Sequence, residues 1–329
     1  MAASRLNWGR HLVKKLVPFL SVILTGTVLG ASRSSPRIGL RMPPLHRIAH
    51  DLGRQEVKRV SCTTRTIGLA SDIVPLMAEP QASDCEFQTA LEAAQAAASV
   101  LQRVGTTILA DVGKDIKAQA DLDAERALLE VLRPTGLPIL SEEMGADAAF
   151  SLDHDGWIID PLDGTMNFVR GIPVSCTCVS LWRAGRPVLG VIQENGRDCV
   201  WAGGVGRPTT CNGAIVQCGN AATPESAILT TGFPRCFDFS DASLGESMRR
   251  MSQYKKVRMI GCAGLALAWT AGGMMDLYRE ENIFLWDVAA GIALVQAAGG
   301  HAAFTPIDEQ WRTTVTAGSQ PLVAAEHAC

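Results

Sequence analysis

Apolar positions recur at helical spacing over Glu86–Val104 (EFQTALEAAQAAASVLQRV), a stretch rich in Ala, Leu, Glu and Gln. Ser83 or Asp84 is placed to cap this helix and Gly105 to end it. A second helical pattern spans Leu122–Leu132 and stops before Pro134. The period then changes. Trp157-Ile158-Ile159-Asp160 is a short apolar run closed by a carboxylate, as in a buried strand whose last residue reaches a site. Val174–Trp182 and Val188–Val191 read as strands around a turn at Arg183–Pro187. Cys199–Ala202 and Ala214–Gln217 read as another pair, with Asn212-Gly213 as a strong turn dipeptide. Further on, Ile228–Thr231 and Val257–Ile260 are strand-like and Cys262–Tyr278 is helix-like, Gly272 and Gly273 notwithstanding. Asp287–Ala298 is a last helix, closed by Gly299-Gly300. Mixed strands and helices without an internal repeat predict a layered α/β architecture.

The 329 residues divide by charge. Residues 1–80 hold 12 Lys+Arg against 4 Asp+Glu, net +8, and the remainder holds 18 against 29, net −11. No acid precedes Asp51, and an apolar run, Leu16–Ala31, is flanked by Arg5, Arg10, Lys14 and Lys15. Sixteen helical residues span about 24 Å, short of a ~30 Å bilayer core. Basic flank, short apolar centre and an acid-free Ser/Arg tract predict a targeting leader over 1–80, ahead of a catalytic domain over 81–329. The expected destination is an organelle, plastid or mitochondrion, with the cytoplasm as the alternative; membrane contact is expected only through the leader. Beyond residue 80 there is no Lys/Arg stripe, which argues against a nucleic-acid partner. Ten cysteines without a C-x-x-C pair predict buried free thiols rather than a disulfide scaffold or a zinc finger. Cys176 and Cys178 alternate along a strand and so share a face.

Chemistry concentrates in Trp157–Phe168 (WIIDPLDGTMNF). Asp160 and Asp163 flank Pro161-Leu162, and Gly164-Thr165 opens the next segment. Two carboxylates at the end of a buried strand repel unless a proton or a cation joins them. All-oxygen donors favour a hard ion, Mg²⁺ above all. The N–H groups of Gly164 and Thr165, if they start a helix, form an anion site. A hard metal beside a phosphate cradle is the layout for phosphoryl transfer; an ordinary Asp-Gly turn with solvated acids is the competing reading. Two more acidic stretches bear on it: Glu142-Glu143 after the apolar Ile139-Leu140, and Asp287 in Trp286-Asp287-Val288-Ala289-Ala290-Gly291.

Glu142-Glu143, DPLDGTMNF and WDVAAG, in this order and spacing, resemble the inositol monophosphatase family of Mg²⁺-dependent, lithium-sensitive phosphatases, over roughly residues 85–329. The resemblance implies an α-β-α-β-α layered sandwich and hydrolysis of a small phosphate monoester, myo-inositol monophosphate first, by in-line attack of a metal-bound water. It implies two or three Mg²⁺ ions held by Glu142, Asp160, Asp163, Asp287 and the Leu162 carbonyl. Thr165 would orient the water with Asp121 as its partner, and the Gly164 and Thr165 N–H groups would hold phosphate. Glu280 would bind a substrate hydroxyl, the Ala263 backbone would line the sugar, and the protein would be a homodimer. Alternative substrates are a 3′(2′),5′-bisphosphate nucleotide, histidinol phosphate and fructose 1,6-bisphosphate. An alternative of another class is an inactive scaffold or regulator. The chain departs from the family pattern at Ala118, where a threonine is usual, and in Lys114 lying only seven residues before Asp121.

Overall fold

The first helix, α1 (Asp84–Leu101), begins where Ser83 and Glu86 exchange hydrogen bonds: the Glu86 N–H donates to Ser83 Oγ at 3.2 Å and the Ser83 N–H to Glu86 Oε2 at 2.7 Å. In this computed structural model residues 79–104, 108–112, 115–233 and 237–328 are described. The leader expected over 1–80 thus lies outside the described residues apart from its last two positions, and so do Lys114, Cys62, Cys236 and Cys329.

After α1 come β1 (Ile108–Val112), β2 (Asp115–Ala118), α2 (Gln119–Leu132), β3 (Ile139–Ser141) and β4 (Gly145–Ala146). Next are β5 (Gly156–Asp163), α3 (Thr165–Val169), β6 (Cys176–Arg183), β7 (Arg186–Glu194), β8 (Val200–Gly204), β9 (Arg207–Cys211) and β10 (Ala214–Ile215). The remainder is β11 (Ile228–Thr230), α4 (Asp241–Met251), β12 (Lys256–Arg258), α5 (Ala263–Ala271), β13 (Leu277–Phe284), α6 (Leu285–Ala297), β14 (His301–Phe304), β15 (Arg312–Gly318) and α7 (Gln320–Ala328).

Eight strands form one sheet in the order β10-β9-β8-β7-β6-β5-β3-β4, antiparallel except for the β3–β5 pair. Five form a second, β12-β11-β13-β15-β14. One core joins the Ala-rich stripe of α1 and the inner face of α2 to the larger sheet through Trp157, Val179, Leu181 and Val191. A second lies between the sheets, where α5 and α6 pack against Cys176, Cys178 and Ile192 on one side and Tyr278, Val315 and Ala317 on the other. Leu322 and Val323 of α7 cover the outer face of the smaller sheet with Tyr254 and Met251. The layers therefore alternate α-β-α-β-α, as the resemblance implied. Helices α5 and α6 are apolar on all sides because both sides face a sheet.

Two expectations needed correction. The apolar stretch Cys262–Tyr278 is not one helix: α5 ends at Ala271, Gly273 turns with φ +71°, and Leu277 onward is strand. Short buried strands and buried helical turns look alike in hydropathy. The partner of Cys199–Ala202 is Arg207–Cys211, and Ala214-Ile215 pairs beyond it. Strands β14 and β15 and helices α4 and α7 carried no recognised pattern.

α6 lies directly on β7. A Cβ at Gly190 would fall 2.1 Å from the Ala290 carbonyl oxygen, so only glycine permits this approach. Gly190→Ala is expected to destabilise the fold by about 1–3 kcal/mol, read as a lower denaturant midpoint with an unchanged slope.

Candidate active site

β5 carries the first two acids, and its pairing with β6 explains how. Side chains alternate along a strand, so residues three apart point to opposite faces. Here Asp160 pairs with Cys178 and Asp163 with Cys176, three residues stepping past two. The extra residue is a β-bulge, and it turns both acids to the face shared by Cys176 and Cys178. Pro161, having no N–H to pair, suits the irregularity. Its carbonyl accepts from Thr177 Oγ1 at 2.9 Å, and the Leu162 N–H donates to Asp160 Oδ1 at 2.9 Å.

Two other elements bring further acids to that face. Glu142 follows β3, which runs parallel to β5 with Ser141 opposite Ile159. Asp287 sits in the first turn of α6. Glu142, Asp160 and Asp287 each present an oxygen within 4.8 Å of the others. Asp160 is fully buried, and its Oδ2 has no hydrogen-bond partner. Burial, then the charges of Asp163 and Asp287, drives the Asp160 pKa far above the usual carboxylate range. Glu142 rises through burial and then Asp160; Asp287 rises through burial and then Asp163 and Glu142. A buried, partnerless carboxylate oxygen among like charges is stable only with a proton or a cation. Oxygen-only donors fit a hard divalent ion such as Mg²⁺.

Asp163 is held differently. Its Oδ2 accepts the Gly264 N–H at 2.6 Å and lies 3.2 Å from Cys262 Sγ. The Ala263 N–H also favours its ionised form. Burial raises its pKa, and these donors at the start of α5 oppose that rise. Ala263, expected to line a sugar, thus directs its N–H to a carboxylate.

The predicted Asp121–Thr165 pair is present: Thr165 Oγ1 stands 3.0 Å from Asp121 Oδ1 and 3.0 Å from the Leu162 carbonyl. One hydroxyl proton serves only one of these acceptors at a time. Asp121 Oδ2 accepts the Ala118 N–H at 2.7 Å, capping α2. Alanine at 118 lacks the side-chain oxygen that would return this bond. Burial pushes Asp121 up to about 6, against the pull of the Ala118 and Thr165 donors. Gly164 has φ +85°, and a Cβ there would meet the Val174 carbonyl at 2.9 Å. Glu280 lies on β13 beside a break in its register with β15 between Glu280 and Ile283. Burial raises Glu280 to about 7 although Tyr278 Oη donates to it at 3.2 Å.

Glu125 was not anticipated. It sits one helical turn after Asp121, is buried, and its Oε1 accepts from Ser141 Oγ and, at 2.9 Å, from the Met144 N–H. It therefore braces both sides of the turn that carries Glu142. An acid four residues after Asp121 on the same helix face was the available signal.

This sandwich and acidic pocket define the class of phosphatases that work with hard divalent cations. A profile described as the inositol monophosphatase family matches residues 82–328. An inositol-1-monophosphatase of Caulobacter vibrioides is 36% identical over 233 residues, covering 67% of this chain and 88% of the relative. A protein named Nus factor SuhB from Xylella fastidiosa is 34% identical over 190 residues, 57% of this chain and 68% of that one. Among solved structures, inositol monophosphatase from Anabaena (Nostoc) has a TM-score of 0.62 at 29% identity, covering 73% of this chain and 92% of that one. The chain belongs to the inositol monophosphatase family.

Raised folded-state pKa values fix the sign of a pH effect. The unfolded carboxylates titrate near about 4, so the folded state binds protons more tightly, and stability falls as pH rises from there toward the folded values. Metal-free protein should melt at a higher temperature near pH 5 than near about pH 8. Saturating Mg²⁺ should remove most of the difference, as differential scanning calorimetry would show.

Proposed function

We propose that the chain hydrolyses a small polyol phosphate, myo-inositol monophosphate first, to the free alcohol and phosphate. The observation that carries this reading is the partnerless Asp160 Oδ2 among the Glu142 and Asp287 oxygens, a few residues from the Thr165–Asp121 pair. Glu142, Asp160, Asp163, Asp287 and the Leu162 carbonyl are the residues that would hold two or three Mg²⁺ ions. Bound there, Mg²⁺ supplies charge neutralisation at the phosphoryl oxygens, activation of water and stabilisation of the leaving oxygen.

The chain's own residues then have defined tasks. Thr165 directs its proton to Asp121 Oδ1, which leaves the Oγ1 lone pairs free to accept a hydrogen bond from the attacking water. Asp121, raised to about 6, is mostly ionised at neutral pH and keeps that proton in place. The Gly164 and Thr165 N–H groups, at the start of α3, meet the phosphate oxygens. Glu280, near half-protonated at neutral pH, both donates to and accepts from a substrate hydroxyl. A carboxylate at that place also repels a second phosphate, which favours a polyol over a nucleotide bisphosphate. Cleavage of the basic leader on import into an organelle and assembly into a homodimer complete the reading.

Initial rates on inositol 1-phosphate, with and without Mg²⁺ and beside a nucleotide bisphosphate, test the assignment. Phosphate release should require Mg²⁺ and favour the inositol ester. Asp160→Asn should lower kcat by about 100- to 1,000-fold. Release indifferent to chelator would end the proposal, and equal turnover of the bisphosphate would remove the inositol assignment.

A further inference from the structure

Behind the acidic pocket lies a second set of donors of different chemistry. Cys176 and Cys178 face α5 from β6, and Cys262 stands immediately before α5. All three thiols are buried and unoxidised. Cys176 Sγ is 3.6 Å from Cys262 Sγ and 3.7 Å from Cys178 Sγ. Asp163 Oδ2 lies 3.2 Å from Cys262 Sγ and 3.7 Å from Cys176 Sγ.

These separations match a tetrahedral zinc site. With Zn–S of about 2.3 Å and Zn–O of about 2.0–2.2 Å, tetrahedral edges are about 3.8 Å between sulfurs and about 3.6 Å between sulfur and oxygen. The Asp163–Cys176–Cys262 triangle has edges of 3.2, 3.6 and 3.7 Å. Asp163, Cys176 and Cys262 each present a donor atom within 4.8 Å of the others, and Cys178 Sγ neighbours Cys176 alone at 3.7 Å. The donors converge on bare backbone: a Cβ at Gly264 would fall 2.5 Å from Cys178 Sγ, 2.8 Å from Cys176 Sγ and 3.1 Å from Asp163 Oδ2.

We propose that Asp163, Cys176 and Cys262 form a binding site for a thiophilic divalent cation, Zn²⁺ or its heavier congener Cd²⁺, sharing Asp163 with the acidic pocket. Binding exchanges the two thiol protons, released to solvent, for two metal–sulfur bonds, with no change of oxidation state. The cation takes Asp163 Oδ2 from the Gly264 N–H and sets positive charge beside the hard-ion pocket. Soft donors select Zn²⁺ or Cd²⁺ and reject Mg²⁺, so the two kinds of ion do not compete for the same sulfur atoms. If the Mg²⁺-dependent hydrolysis proposed above is correct, occupancy of the thiol site raises the Mg²⁺ concentration needed for half-maximal rate. The binding itself does not depend on that reading.

The test uses the full chain carrying Cys199→Ser and Cys211→Ser. Among the described residues this removes the close thiol pair outside the site, whose sulfurs are 3.1 Å apart in the β8–β9 hairpin. Cd²⁺ titration should develop the ultraviolet thiolate-to-metal band at one ion per chain, and X-ray absorption should show two or more sulfur neighbours. Adding Cys176→Ser or Cys262→Ser should weaken Cd²⁺ binding by at least about tenfold. Absence of the band in the folded parent, or its persistence in both added variants, would overturn the proposal. If either added variant fails to melt cooperatively, the absorption spectrum of the parent decides: oxygen-only neighbours refute the site. Loss of Mg²⁺-dependent activity with an intact Cd²⁺ band would count against the phosphatase reading alone.

Discussion

Carboxylates buried within a few ångströms of one another oppose folding, since each ion loses several kcal/mol of hydration and then faces its neighbours' charge. Glu142, Asp160, Asp163 and Asp287 come from three separate segments, the residue after β3, the end of β5 and the first turn of α6, and the fold brings them together. Only a cohesive scaffold can hold such a set without ions. Two cores, one on each face of the larger sheet, supply that cohesion. The acids in turn need a proton or a cation among them, so the stability of the fold is tied to what occupies the pocket.

The structure distributes this tension unevenly. Asp163 receives N–H donors from the start of α5, whereas Asp160 has one oxygen tied to the Leu162 N–H and the other left bare. The first arrangement fixes a carboxylate in place; the second leaves an oxygen whose demand a proton or a cation would meet. Glu125 serves the same end from α2, fastening the Glu142 turn through Ser141 and Met144. The thiols beyond Asp163 give its carboxylate a soft neighbourhood on one side and a hard one on the other.

How much of this was legible in the chain depended on range. The capped α1, the Trp157 strand and the acidic motifs are local patterns, and the structure places them as read. Arg207–Cys211 and Arg312–Gly318 escaped because polar and apolar residues mix in them, and their pairing comes from distant partners. The break after Ala271 was hidden because helix and strand are both buried there, so hydropathy does not change. Glu125 was missed because an acid on a helix face looks like any solvated charge until its partners arrive from another segment.

The bulge at Pro161-Leu162 makes the pocket depend on phase as well as on residue identity. Many single replacements around it would leave Asp160 and Asp163 on one side of the sheet. Straightening the strand at its present length, so that the extra residue is no longer bulged out, would turn Asp163 to the opposite face and separate the acids in one step. Spacing and bulge are therefore one constraint: acids three residues apart need the extra residue, and acids two apart would need a regular strand.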